Sequence, residues 1–190
     1  MNKKQNFLVV DTETGGLSCD EHSILSFAGV AWSVDSEPVK CFDLYIKEDD
    51  IKYIPKALEI NKIKLDELKK VGFSPKEAVF KLREGLDRVF GVNRKKIQLI
   101  AHNAPFDLGF IKRLYRLAGE DFNKDFRGRA LDTCSITQFL MMTGKIQGFR
   151  ASADTLFSAA EVSIPEKDRH TAFGDAWATA QAFKVIVNKF

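Results

Sequence analysis

The sequence predicts an α/β fold: a mixed five-stranded sheet, antiparallel in its first three strands and parallel in its last two, with helices on its faces. Three observations lead there. Short apolar runs at residues 6–11, 24–34 and 39–47 have strand length and close spacing, which favours an antiparallel meander. From residue 98 onward, strand-like and helix-like patterns alternate, the order that sets parallel strands beside helical crossovers. No repeat, Gly/Ser linker or composition break divides the 190 residues, so residues 1–190 read as one domain.

The elements follow in order. Residues 6–11 are a short apolar strand, and the polar break Asp35-Ser36-Glu37-Pro38 marks a hairpin between the next two. Helical periodicity then takes over at 54–71, in one or two pieces, and at 75–90, where Ala78, Val79, Leu82, Leu86, Val89 and Phe90 form one stripe. Ser74-Pro75 with Glu77 supplies the helix start. Residues 98–102 read as a buried strand, 106–118 as a helix, 130–134 as a strand, and 136–142 and 153–160 as helices. The last helix, 174–189, has Phe173, Ala176, Trp177, Ala180, Phe183 and Val187 spaced as one face.

Composition excludes several classes. At 45% apolar and 29% charged, the chain is neither disordered nor collagenous. Three widely spaced cysteines, Cys19, Cys41 and Cys134, support neither a disulfide framework nor a zinc knuckle, and a reducing cytoplasm is the expected location. Lys3 and Lys4 precede an apolar run of only four residues, too short for a signal sequence, and no run approaches the roughly 18 apolar residues of a membrane span. A net charge of +3 does not by itself indicate a polyanionic partner. Lys112, Arg113, Arg116, Lys124, Arg127 and Arg129 form a basic stretch, with Arg94-Lys95-Lys96 as a second knot; with nothing else pointing to nucleic acid, a solvated helix face and loop is the better account of them.

Three segments carry chemistry. In Val10-Asp11-Thr12-Glu13-Thr14, residues two apart on a strand share a face, so Asp11 and Glu13 set two carboxylates side by side. At about 4 Å and an effective dielectric near 20, such a pair repels by roughly 4 kcal/mol, which a cation or a shared proton relieves. An exposed strand end entering the Gly15-Gly16 turn is the alternative. In His102-Asn103-Ala104-Pro105-Phe106-Asp107, the acid falls in a first helical turn beyond a parallel strand, where it either caps the helix or faces a ligand crevice. In His170-Thr171-Ala172-Phe173-Gly174-Asp175, a five-residue offset separates the two side chains by about 140° on a helix. They therefore serve one site only if His170 lies on the preceding loop.

Together, in this order and from Leu8 to Phe183, the segments resemble the three motifs of the DEDDh exonuclease family, whose best known members are the proofreading (epsilon) subunits of bacterial DNA polymerase III. The resemblance implies an RNase H-like fold and a site for two divalent cations, Mg²⁺ or Mn²⁺. It matches Asp11 to the ligand shared by both ions, Glu13 and Asp175 to ligands of the tighter one, Asp107 to the acid holding the second, and His170 to the general base. It also sets Thr12, Thr14, His102, Asn103 and Phe106 around the terminal nucleotide, with core packing the alternative for Phe106. Gly15 departs from the family's usual Thr, which implies a looser loop there.

Hydrolysis of a 3′-terminal phosphodiester needs an activated water and neutralisation of charge on the attacking and leaving oxygens, which hard cations on carboxylates supply. A histidine near neutral pKa can accept the proton. The expected activity is 3′ to 5′ exonucleolysis of single-stranded or frayed DNA ends with release of nucleoside 5′-monophosphates. RNA trimming or oligoribonucleotide clearance is the near alternative, and a non-catalytic subunit of a DNA polymerase complex the distant one. Replicative proofreading subunits carry a polymerase-tethering tail, whereas this chain ends at Phe190, which favours a stand-alone enzyme or a trimmed chain.

Overall fold

The computed structural model describes residues 7–190, so Asn6, Lys3 and Lys4 lie outside it. Five strands form one sheet: β1 (Phe7–Thr14), β2 (Ile24–Ser33), β3 (Ser36–Tyr45), β4 (Gln98–Ala101) and β5 (Leu131–Asp132), in the order β3-β2-β1-β4-β5. The β1–β2 and β2–β3 pairings are antiparallel, whereas β1–β4 and β4–β5 are parallel. The helices are α1 (Pro55–Asn61), α2 (Leu65–Val71), α3 (Pro75–Phe90), α4 (Ala104–Ala118), α5 (Phe122–Asp125), α6 (Thr133–Met142), α7 (Ala153–Ala159) and α8 (Ala172–Lys189).

Strand parity divides the molecule. Leu8 and Val10 of β1 enter a core with Phe27, Phe42 and Leu99, covered by Ala78, Val79, Leu82 and Leu86 of α3 and Phe110, Ile111 and Leu114 of α4. Val9 faces the other way, onto Ala176, Ala180 and Phe183 of α8, together with Val30, Trp32 and Ile100. The Trp32 Nε1 donates to the Ala180 carbonyl at 3.0 Å, pinning α8 across the sheet. Burial of each large apolar side chain contributes about 1.5–3 kcal/mol. A third cluster joins Leu140 of α6, Leu156 and Phe157 of α7, and Ala178, Ala182 and Ile186 of α8.

Several boundaries differ from those read in the sequence, each for a local reason. The hairpin turn is shorter than the four-residue polar break: Ser33 pairs with Ser36, so β3 begins at Ser36 and carries Pro38 on a sheet edge, where a missing N–H costs no ladder bond. Lys62, at φ 58°, terminates α1 and splits the 54–71 region into two helices. α6 begins at Thr133 rather than at residue 136, because the Asp132 carboxylate accepts from the Cys134 N–H and from the Ser135 hydroxyl. This shortens β5 to two residues. α5, which no periodicity announced, starts with the Asp121 side chain accepting from the Asn123 N–H. On α8, Val187 is exposed and Ile186 takes the buried place. The Ser74 start of α3 forms the reciprocal capping box with Glu77.

Candidate active site

β1 outruns its parallel neighbour. Its last pairing with β4 is Val9 with Ile100, while its pairing with β2 continues to Thr14, so Asp11 and Glu13 project beyond the carboxyl end of β4. Both odd-numbered residues share the parity of Val9 and face the N-terminus of α8, where Asp175 occupies the first turn. One carboxylate oxygen from each of Asp11, Glu13 and Asp175 lies within 4.8 Å of the others. Thr12, of opposite parity, turns to α4, and its hydroxyl donates to the buried Asp107 carboxylate at 2.8 Å. The chain thus brings four acids to one end of the sheet.

Electrostatics sets these acids apart. Burial, followed by the charges of Asp107, Glu13 and Asp175, raises the Asp11 carboxyl well above its ordinary range. Burial and the neighbouring Asp175 and Asp107 push Glu13 up to about 8. Asp107 is raised to about 7 by burial, with the Thr12 bond pulling in the opposite direction. Asp175 is raised by burial and partly relieved by Arg169. Three carboxylates offering converging hard oxygen donors, with a repulsion that Arg169 only partly offsets, fit a hard divalent cation.

His170 lies on a loop before α8 in the left-handed region, with φ 60°, and its backbone N–H donates to Asp175 Oδ2 at 3.2 Å. The side chain is exposed. The preceding segment has few apolar contacts but firm polar anchors. Arg169 pairs with both Asp175 and Asp154, at 2.5 and 2.6 Å, and the Thr171 hydroxyl donates to the Asp168 carbonyl while accepting from the Gly174 N–H. Arg169 is a site residue that the sequence reading did not single out.

Around the acids, the Thr14 hydroxyl donates to the Gly16 carbonyl, and the Thr14 carbonyl accepts from the buried Asn61 Nδ2 at 3.1 Å. Gly15 is held tightly rather than loosely: its N–H donates to the Ser23 carbonyl, its carbonyl accepts from the Ile54 N–H, and an added Cβ would sit 2.2 Å from the Lys52 carbonyl. Only glycine permits that approach. His102 Nδ1 lies 3.1 Å from the Thr133 hydroxyl, and Asn103, at φ 68°, donates its N–H to Asp132. The Phe106 ring lies 5.0 Å from the Phe110 ring, tilted by 52°, and packs partly against the main core. A cavity of about 370 Å³ runs between α1–α2 and the His170 loop, lined by Asn61, Lys62, Ile63, Lys167, Arg169 and His170 among others. Asn61, α1 and α2 had carried no functional signal in the sequence.

The model of the exonuclease family described as RNase_T matches residues 8–183. The chain belongs to this exonuclease family. Relatives include "3'-5' DNA exonuclease Cap18" of Escherichia coli, 29% identical over 184 residues that cover 96% of this chain and 92% of that protein. A "DNA polymerase III subunit epsilon-like protein" of Rhodobacter capsulatus is 42% identical over 85 residues, 45% of this chain but 11% of that protein. Among solved structures, E. coli exonuclease I in complex with a dT13 oligonucleotide aligns with a TM-score of 0.75 at 17% identity, over 97% of this chain and 41% of that one. Cell-death related nuclease 4 aligns with a TM-score of 0.78 at 13% identity, over 97% and 64%. These likenesses establish the RNase H-like exonuclease fold. This chain therefore spans well under two thirds of the length of the Rhodobacter protein and of exonuclease I. No helix among the described residues is long and apolar enough to cross a membrane.

Proposed function

We propose that the chain hydrolyses the terminal phosphodiester at 3′ ends of single-stranded or frayed DNA and releases nucleoside 5′-monophosphates, working as one exonuclease domain. The observation carrying this reading is the convergence of Asp11, Glu13 and Asp175 within 4.8 Å, with Asp107 held beside them by Thr12. The family membership and the name of the Cap18 relative, which covers nearly the whole chain, support the 3′ to 5′ direction and DNA as substrate.

In this reading the four acids would hold two divalent cations, Mg²⁺ or Mn²⁺, with Asp11 serving both, Glu13 and Asp175 the tighter one and Asp107 the second. When bound, these ions neutralise charge on the attacking and leaving oxygens. The chain's own residues do the rest. Deprotonated carboxylates are required, so the raised values of Glu13 and Asp107 favour activity on the alkaline side of neutrality. The His170 imidazole accepts a proton from the attacking water, and its exposed, polar-anchored loop lets it reach solvent and substrate. The Asn61-lined cavity receives the terminal nucleotide beside Thr12 and Thr14, with His102, Asn103 and Phe106 bordering the strand. A reducing cytoplasm is the proposed location, on the sequence ground that the cysteines are three and widely spaced.

Matched 5′-labelled DNA and RNA oligonucleotides, digested with Mg²⁺, Mn²⁺ or chelator, test this reading. The expected result is a ladder shortening from the 3′ end of DNA, mononucleotide product, and no product in chelator. Faster digestion of RNA would move the reading to RNA trimming, and turnover in chelator would overturn it. Co-purification with a DNA polymerase would add the partner that the Rhodobacter relative's name refers to.

A further inference from the structure

The segment joining α6 to α7 presents an aromatic ring wholly to solvent. Phe149 has a relative exposure of 101%, and Arg150 and Lys145 are exposed beside it; no acidic residue lies between Thr143 and Ser152. This is not a frayed loop. Ile146 is buried in the core cluster shared by α6, α7 and α8. The Arg150 carbonyl accepts from the Ser152 N–H at 2.8 Å and from the Thr155 hydroxyl at 2.7 Å, and the Ala151 carbonyl accepts from the Cys134 thiol at 3.1 Å. Gly148 packs so closely that an added Cβ would lie 2.5 Å from Thr155 Cγ2. The turn is therefore fixed on both sides of Phe149, while the ring buries nothing.

The same turn adjoins the carboxylate site through α7, where Asp154, two residues beyond Ser152, pairs with Arg169, which in turn pairs with Asp175. Yet none of residues 143–152 lines the Asn61 cavity. An exposed aromatic side chain on a fixed turn, with Arg150 next to it and Lys145 four residues before it in the sequence, outside the Asn61 cavity, matches the chemistry of an unpaired strand. Each base has a π-face that stacks without sequence preference, and each phosphate attracts a cation.

We propose that Phe149, with Arg150 and Lys145, is a base-stacking platform for the single strand upstream of the scissile end. This inference rests on the nuclease reading above for its occupant, and its test separates the two. Full-length chain is titrated with fluorescent dT oligonucleotides in chelator, and hydrolysis of the p-nitrophenyl ester of thymidine 5′-monophosphate is followed in parallel with Mn²⁺. Phe149→Ala should weaken binding of a 12-mer about 10-fold, within the usual range for loss of one base stack, and Phe149→Trp should restore it. Arg150→Ala should lower the slope of log affinity against log salt by about 1. The ester, which carries a single nucleotide and no upstream strand, should be cleaved at the wild-type rate by Phe149→Ala. Equal 12-mer affinity of wild type and Phe149→Ala would overturn the platform and leave the ring as a protein contact. An equal loss on the ester would overturn it too, by making Phe149 part of the terminal pocket. A wild-type chain that cleaves neither substrate but still binds the 12-mer in a Phe149-dependent way would sustain the platform and overturn the nuclease reading.

Discussion

The acids at the end of the sheet and Asp125, beneath α3 and α4, follow opposite electrostatic rules. Asp125, between α3 and α4, is buried as Asp107 and Asp175 are, while Asp11 and Glu13 are partly buried, yet the Asp125 carboxylate accepts from Arg83 Nε at 2.8 Å, Arg94 Nη2 at 2.5 Å and the Tyr115 hydroxyl at 3.0 Å. Burial pushes its pKa up, but the bonds from Arg94, Arg83 and Tyr115 outweigh burial and hold it below the ordinary range. Asp11, Glu13 and Asp107 are raised, first by burial and, for Asp11 and Glu13, by the charges of neighbouring acids, and Arg169 pairs directly with only Asp175 among the four, spending its other bond on Asp154. A fold able to surround Asp125 with cations has left the other cluster short of positive charge. That deficit marks a site for an external cation, whereas the satisfied acid marks structure.

The largest test removes one acid from each group. Asp11→Ala should lower exonuclease activity by more than about 10³-fold, roughly 4 kcal/mol of transition-state stabilisation, while leaving the melting temperature of metal-free protein unchanged or higher. Asp125→Ala should do the reverse. It removes the acceptor shared by Arg83, Arg94 and the buried Tyr115 hydroxyl, although Arg83 keeps Glu120 and Arg94 keeps Asp87, and should cost about 2–3 kcal/mol of stability, roughly 5–10 °C in melting temperature for a chain of this size. A large drop in melting temperature for Asp11→Ala would dissolve the contrast.

His170 sharpens the comparison, since its backbone is tied to Asp175 while its ring is free. His170→Ala should reduce turnover by at least about 10²-fold without changing Mn²⁺ affinity measured by calorimetry. The deficit should shrink as pH rises, because hydroxide then needs no base. A constant deficit at every pH would make His170 a positioning group.

How much of this was legible in the sequence depends on range. Strand parity puts Asp11 and Glu13 on one face from local periodicity alone, whereas the five-residue offset sets only a condition, that His170 lie on the preceding loop if it shares a site with Asp175. The antiparallel-then-parallel sheet followed from the order of apolar runs. By contrast, the contacts that tune the site join distant residues: Thr12 to Asp107, Asn61 to Thr14, Arg169 to Asp154. No periodicity carries such pairs. The basic stretch from Lys112 to Arg129 is not uniformly free either, since Arg113 is pulled inward by the buried Glu48 at 2.7 Å. Short elements set by single caps, such as the start of α6 at Asp132, were equally silent.

The central claim, that the β1–α4–α8 acids lack a cation in the fold itself, is tested most directly by melting temperature against pH in chelator, repeated with excess Mn²⁺. An acid whose folded pKa is raised gives stability that is fully present below its unfolded value, near 4, and lost as pH climbs through the folded value. With Asp107 at about 7 and Glu13 at about 8, the metal-free protein should lose stability between about pH 4 and pH 8, with the Asp11 and Asp175 carboxyls adding to the loss. Over the same interval Mn²⁺ should restore progressively more, because each carboxylate must lose its proton before it can receive a cation. A metal-free melting temperature that stays level or rises across that window, with no stabilisation by Mn²⁺, would contradict the account.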